Sequence, residues 1–253
     1  MSAPFASQLL GWKQNKDSKK PVPNSADSSS TPSKEIAAKI LEYLGVAPGL
    51  VLSSTPTDLG PALELAVQED LAKSLPEADP SRVWLVDHKK RVWDFTQYAH
   101  LGTIQKAVKG NPVLSVDLGR DYLIKPDVTV GILHSSSAPP EPAPFLHAAV
   151  SCKWTIRSDR VQNIRHEFLQ MIRHRRGRLP HLVTVTAEPM PSRIAAIARG
   201  TGEVDAVYHI AFDALRQAVD DVGSAQQKKD LAEIISQGRL KPYEELATTL
   251  ATW

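Results

Sequence analysis

From residue 122 onward the chain alternates β-rich apolar runs with an amphipathic stretch, and this pattern limits the fold more than any other feature. Runs rich in Val, Ile, Thr and Leu occupy 122–133, 145–156, 181–187 and 206–212, the texture of buried strands. Between the second and third, Val161, Ile164, Phe168 and Met171 or Ile172 recur at helical spacing over 159–174. Strand, helix, strand in that order predicts an α/β fold with a central mixed β-sheet flanked by helices. A Pro-rich stretch, 135–144, joins the first two strands by an excursion in place of a tight turn.

Upstream the reading is helical. Ser33 is a plausible cap for a helix carrying Ile36, Ile40, Leu41 and Leu44, and Pro61 opens a second with Leu63, Val67 and Leu71 on one stripe. A short strand is expected at 82–88 and a third helix at 97–109, closed by Gly110-Asn111-Pro112. Residues 13–33 are Lys-, Ser- and Pro-rich with almost no apolar residue, so 1–33 reads as a flexible arm and 34–253 as one domain. No run has the roughly 18 apolar residues of a membrane span, and no leader pattern opens the chain, so a cytoplasmic protein is expected.

One cysteine, Cys152, excludes an internal disulfide and any multi-cysteine zinc site, and the eight histidines show no metal-ligand spacing. Trp12, Trp84, Trp93 and Trp154 read as core residues more than as base-stacking platforms, and Gly200-Thr201-Gly202 as a helix stop. A net charge of +2 identifies no partner, but its distribution is informative. Lys153, Arg157, Arg160, Arg165, Arg173, Arg175, Arg176 and Arg178 crowd one stretch against only Asp159 and Glu167, a local field able to hold phosphates.

Two ionisable residues stand inside apolar strand runs: Asp127 in Lys125-Pro126-Asp127, and Lys153 in Ser151-Cys152-Lys153. Such placement is costly unless the groups are paired or bind a metal. A structural Asp–Lys ion pair satisfies that requirement. So does a site for magnesium-assisted phosphodiester hydrolysis, which needs a carboxylate for the metal, a cation near water or phosphate, and a further acid. Ser151 stands two residues before the lysine, where a second acid is usual, and Glu167 on the following helix is able to replace it in space.

At the strand-to-helix junction comes Arg157-Ser158-Asp159-Arg160. Arginine forks match guanine O6 and N7, and a carboxylate accepts from the cytosine amino group, so this triplet is suited to adjacent G·C pairs. Ser158 as helix cap and Asp159 at the dipole explain the same residues without DNA, and the two roles are compatible.

The block 147–202, with SCKWTIRSDR, GRLPH, TVTAEP, PSRI and GTGE, resembles the NgoMIV family of type II restriction endonucleases, within the wider Pro-Asp…Lys nuclease group. QYAH at 97–100, LGRDY at 118–122 and the Pro-Asp step extend the likeness more weakly, back to residue 26. The resemblance implies a restriction-endonuclease-like fold and a homotetramer acting on double-stranded DNA at GCCGGC, cut after the first G to leave a CCGG 5′ overhang. A cognate DNA methyltransferase would complete the system. It implies two Mg2+ ions held by Asp127, one also by the Cys152 carbonyl, with Lys153 orienting water and phosphate and Glu64 and Glu167 completing the acidic shell beside Ser151. Arg157, Asp159 and Arg160 would read the central CCGG, and Arg193 and Ser29 the outer pair. Thr57 stands where the family carries a glutamine associated with that outer pair, which leaves room for another CCGG-containing palindrome. A repair nuclease needs the acids and lysine but not the Arg-Ser-Asp-Arg reader, a binding module the reverse.

Overall fold

The computed structural model describes residues 2–15, 19–51, 56, 58–117, 119–133, 143–200 and 202–253, and only the backbone at 112, 115, 117 and 158–160. Its centre is a six-stranded mixed sheet in the order β3 (Val83–Asp87), β4 (Val128–Leu133), β5 (Phe145–Lys153), β6 (His181–Thr186), β7 (Ala206–His209), β8 (Leu240–Pro242). The first three strands are antiparallel neighbours, and β5 to β8 run parallel. The α/β expectation is met. Every parallel step needs a crossover, supplied by α6 (Ser158–His174), α7 (Pro191–Ala198) and the pair α8 (Phe212–Val222) and α9 (Ala225–Ser236). The expected stripe on α6 is where the core lies: Ile164, Phe168 and Met171 are buried. Upstream come α2 (Thr31–Tyr43), α3 (Leu59–Ala78), α4 (Ala99–Gly110) and α5 (Pro112–Asp117), and the chain ends in α10 (Leu246–Thr252). On α3, Leu63, Val67, Leu71 and Leu75 repeat every fourth residue and are fully buried, so this helix presses one face on the sheet.

Three expectations change. The described residues of 1–33 do not all stand outside the core as an arm would: α1 (Ala6–Leu9) buries Ala6 and Leu9, with Phe5 and Leu10 beside them. A two-stranded ribbon follows, β1 (Trp12–Gln14) with β2 (Pro21–Pro23). Asn24 locks it: the side chain accepts from Gly11 N–H at 3.3 Å and donates to the Leu9 carbonyl at 2.7 Å, and its own carbonyl accepts from the Trp154 indole at 3.2 Å. The average composition of the segment hid a few well-placed apolar residues and one buried amide. Second, Ser30, not Ser33, caps α2, by accepting from Ser33 N–H at 3.3 Å. Third, Asp127 lies one residue before β4, not within it, because Pro126 has no N–H for the ladder.

Candidate active site

Parallel strands deliver the ends of β5 and β6 to one edge of the sheet, where α/β folds bind ligands. The β4–β5 register pairs Val128 with Val150, and one step further it sets Asp127 opposite Ser151. Asp127 Oδ2 there accepts from Ser151 Oγ at 3.2 Å, Cys152 N–H at 2.7 Å and Lys153 Nζ at 2.5 Å. All three bonds fall on one oxygen. Lys153 is the last residue of β5, and its carbonyl accepts from Thr186 Oγ1 at 2.6 Å, which ties it to the end of β6.

Beside this pair lies a cleft of about 530 Å³ whose walls include Asp58, Glu64, Lys153, Asn163 and Glu167. The first turns of α3 bring Glu64, and the middle of α6 brings Glu167. Burial and then the Asp127 charge push the Glu167 carboxyl up to about 7, against the pull of Lys153. Glu64 is raised for the same two reasons in the same order. Glu167 Oε1 is buried with no hydrogen-bond partner among the described residues. An orphaned acidic oxygen on a group that also feels the Asp127 charge is the local chemistry that a cation relieves.

Among the described residues no three His, Cys, Asp or Glu side chains form a finished metal cage. Magnesium does not require one, since it keeps several waters and takes one or two carboxylates together with substrate phosphates. Oxygen donors of the kind that Asp127, Glu167 and Glu64 carry are the ones that ion prefers. Cys152 does not offer its thiol: it is buried, and burial, then Asp127, pushes its pKa well up.

Arg157, exposed, stands at the cap of α6, which begins at Ser158 without a side-chain cap bond. The side chains of Asp159 and Arg160 lie outside the described residues, as does Thr57. A second cleft, also about 530 Å³, gathers Arg157, Arg193, Ser192, Ser29 and Asp27. The structure thus brings together three of the predicted readers, from the N-terminal segment, the start of α6 and the start of α7. Arg193 Nη2 donates to Asp27 Oδ2 at 2.6 Å, and Ser29 donates through N–H and Oγ to Asp27 Oδ1. These donors, Arg193 first, hold the Asp27 carboxyl well below the usual range.

The basic run does not form one patch. Arg175, Arg176 and Arg178 are exposed past the C-terminal end of α6, and a helix of that length puts them roughly 25 Å from Arg157. Sequence reasoning also missed Asp27, Asp58 and Glu188. Asp27 two residues before Ser29 carries the signature of an Asx turn, a signal that was available.

The profile described as "NgoMIV restriction enzyme" matches residues 10–133 and 131–252. The chain belongs to the NgoMIV restriction enzyme family. It is 44% identical over 179 residues to the type II restriction enzyme NgoMIV of Neisseria gonorrhoeae, an alignment covering 62% of this chain and 62% of that relative's length. The mixed sheet flanked by helices agrees with a restriction-endonuclease-like fold. No helix among the described residues is long and apolar enough to cross a membrane.

Proposed function

We propose that this NgoMIV-family chain is a magnesium-dependent type II restriction endonuclease that cuts double-stranded DNA at GCCGGC, after the first G. The observation that carries the chemistry is one cleft lined by the orphaned acid Glu167 and by Lys153, which is paired with Asp127 beside it, Arg157 standing four residues beyond the lysine. When bound, magnesium stabilises charge developing on the phosphate and makes a coordinated water easier to deprotonate. Asp127, Glu167 and Glu64 would hold it, with the Cys152 carbonyl as a further oxygen.

Hydrolysis forms a bond between phosphorus and a water oxygen and breaks the bond to the 3′ oxygen, which leaves protonated. The Lys153 ammonium, aimed by Asp127, would donate to the phosphate or to the attacking water, and Ser151 would help fix that carboxylate. Arg157 and Arg160 would donate to guanine O6 and N7, and Asp159 would accept from a cytosine amino group, so that one short segment reads the central CCGG. Arg193 and Ser29 would address the outer pair. Use of two metal ions, a homotetramer engaging two DNA copies and a protecting methyltransferase belong to the same proposal, supported by family membership.

A second reading is a different CCGG-containing palindrome, favoured by Arg193 being already engaged by Asp27. Short duplexes separate the two: GCCGGC, each other palindrome of the form NCCGGN, and one altered in the centre, incubated with magnesium or with a chelator. Rapid magnesium-dependent cleavage of GCCGGC alone supports the first reading. Cleavage of another NCCGGN site favours the second, and cutting without preference contradicts both.

A further inference from the structure

Glu188 has a carboxylate that is 0% exposed, at the turn between β6 and α7, and no step of the proposed chemistry uses it. Burying an acid there is costly unless its oxygens are committed. They are committed on two sides. Oε2 accepts from the N–H of Ile156 at 2.7 Å, the residue just before Arg157, and Oε1 accepts from Met190 N–H at 3.0 Å, at the cap of the helix that carries Arg193. Arg193 Nη1 stands 3.8 Å from Oε1, while the other terminal nitrogen, Nη2, is taken by Asp27. The Glu188 N–H donates to Thr186 Oγ1 at 3.1 Å, the same hydroxyl that donates to the Lys153 carbonyl. One residue therefore joins, through its side chain, the segment before the first reader to the helix start of the outer reader and, through its main-chain N–H, both to the end of the lysine strand.

We propose that Glu188 is a positioning residue for DNA discrimination, whose carboxylate sets Arg157 and Arg193 in register with each other across their shared cleft. The inference rests on Arg157 and Arg193 being base readers. Full burial prevents Glu188 from touching DNA, so its effect is indirect. Discrimination between bases depends on bidentate geometry, and displacing a donor by about 1 Å is enough to lose it. A carboxylate that served only to cap α7 would need Met190 N–H and nothing from Ile156.

Glu188→Gln preserves volume but puts an amide NH2, which cannot accept, opposite either Ile156 N–H or Met190 N–H, and removes the charge facing Arg193. The readout is the ratio of kcat/KM on GCCGGC to that on duplexes changed at the outer pair and at the central pairs, with kcat at saturating GCCGGC recorded beside it. Both ratios should fall by about tenfold, while kcat stays within about threefold. Glu188→Asp, with its charge and both acceptors drawn back by one methylene, should lose less. A buried control, Val207→Ala on β7, should lower thermal stability and leave both ratios unchanged.

Wild-type ratios in a folded Glu188→Gln protein overturn the proposal, as does a loss of kcat with ratios intact. If the glutamine chain does not fold, Glu188→Asp decides: reduced ratios support the proposal and wild-type ratios overturn it. Failure of the underlying reading is seen separately, in a wild-type protein that shows no preference among the duplexes.

Discussion

Lys153 Nζ lies 2.5 Å from Asp127 Oδ2, although the two are 26 positions apart, Lys153 ending β5 and Asp127 standing just before β4. The pair is not isolated, since the neighbouring N–H of Cys152 and hydroxyl of Ser151 converge on the same oxygen. Three donors on one atom fix the carboxylate before any ligand arrives, and Asp127 Oδ1 carries none of these bonds. A structural ion pair and a hydrolytic centre would share this geometry. What separates them is the orphaned Glu167 oxygen in the cleft beside it.

Asp127→Asn keeps the shape and removes the charge that would hold the cation. Cleavage should fall at least about a hundredfold, the scale of a lost metal contact worth several kcal/mol, with specific binding retained because no reader is touched. Single-turnover cleavage together with a gel-shift assay in calcium checks this. Appreciable cutting by the variant contradicts the assignment.

Arg157→Ala and Arg160→Ala should each cost roughly 1–3 kcal/mol of discrimination per base contact, repeated at symmetric half-sites. Arg175→Ala and Arg176→Ala, at the far end of α6, should leave the preference for GCCGGC unchanged and alter only salt-dependent, general affinity, if any. Competition binding against a scrambled duplex at two salt concentrations measures both. A wild-type ratio in Arg160→Ala contradicts the reader assignment.

The pattern of success and failure along the sequence has physical causes. Burial recurring every three to four residues made α6 legible, and apolar runs made β4 to β7 legible, because solvent exclusion writes itself into composition. Past residue 212 local signals settle little: β8 is three residues long, and α8 to α10 are helices whose order no local pattern dictates. Asp127 and Lys153 were conspicuous as charges among apolar neighbours. Glu188 and Asn24 were not, since an acid before a proline and an asparagine in a Ser-rich stretch look the same whether they face water or the core.

Glu167 should make the metal-free protein sensitive to pH. Its carboxyl rises from 4.5 to about 7 on folding, so between those values the folded state holds a proton that the unfolded state has lost. Stability from this group is full below the lower value and is lost as pH climbs through the upper one, at about 1.4 kcal/mol per unit of pKa separation. Relative to Glu167→Gln, the wild type should weaken from pH 5 to pH 8 in chelator, and magnesium should narrow the gap above pH 7. His147 and His209, lowered to about 4 by burial, act in the opposite sense but are common to both proteins and cancel. Urea unfolding curves with parallel pH profiles contradict this.

Cys152→Ala should keep most activity, because the mechanism takes from this position only a main-chain oxygen, which every residue supplies. The buried thiol should also resist alkylation in the folded wild type. A small cavity is the expected penalty, about 1 kcal/mol or somewhat more by unfolding. A folded, DNA-binding Cys152→Ala protein that no longer cuts would return the thiol to the chemistry.

The central claim is tested most directly by digesting plasmids of known sequence with the purified chain and magnesium, then sequencing the fragment ends. The account predicts breaks only at GCCGGC, each after the first G with a CCGG 5′ overhang, and none in chelator. Intact plasmid under all metal conditions, or ends scattered without a common sequence, would contradict it.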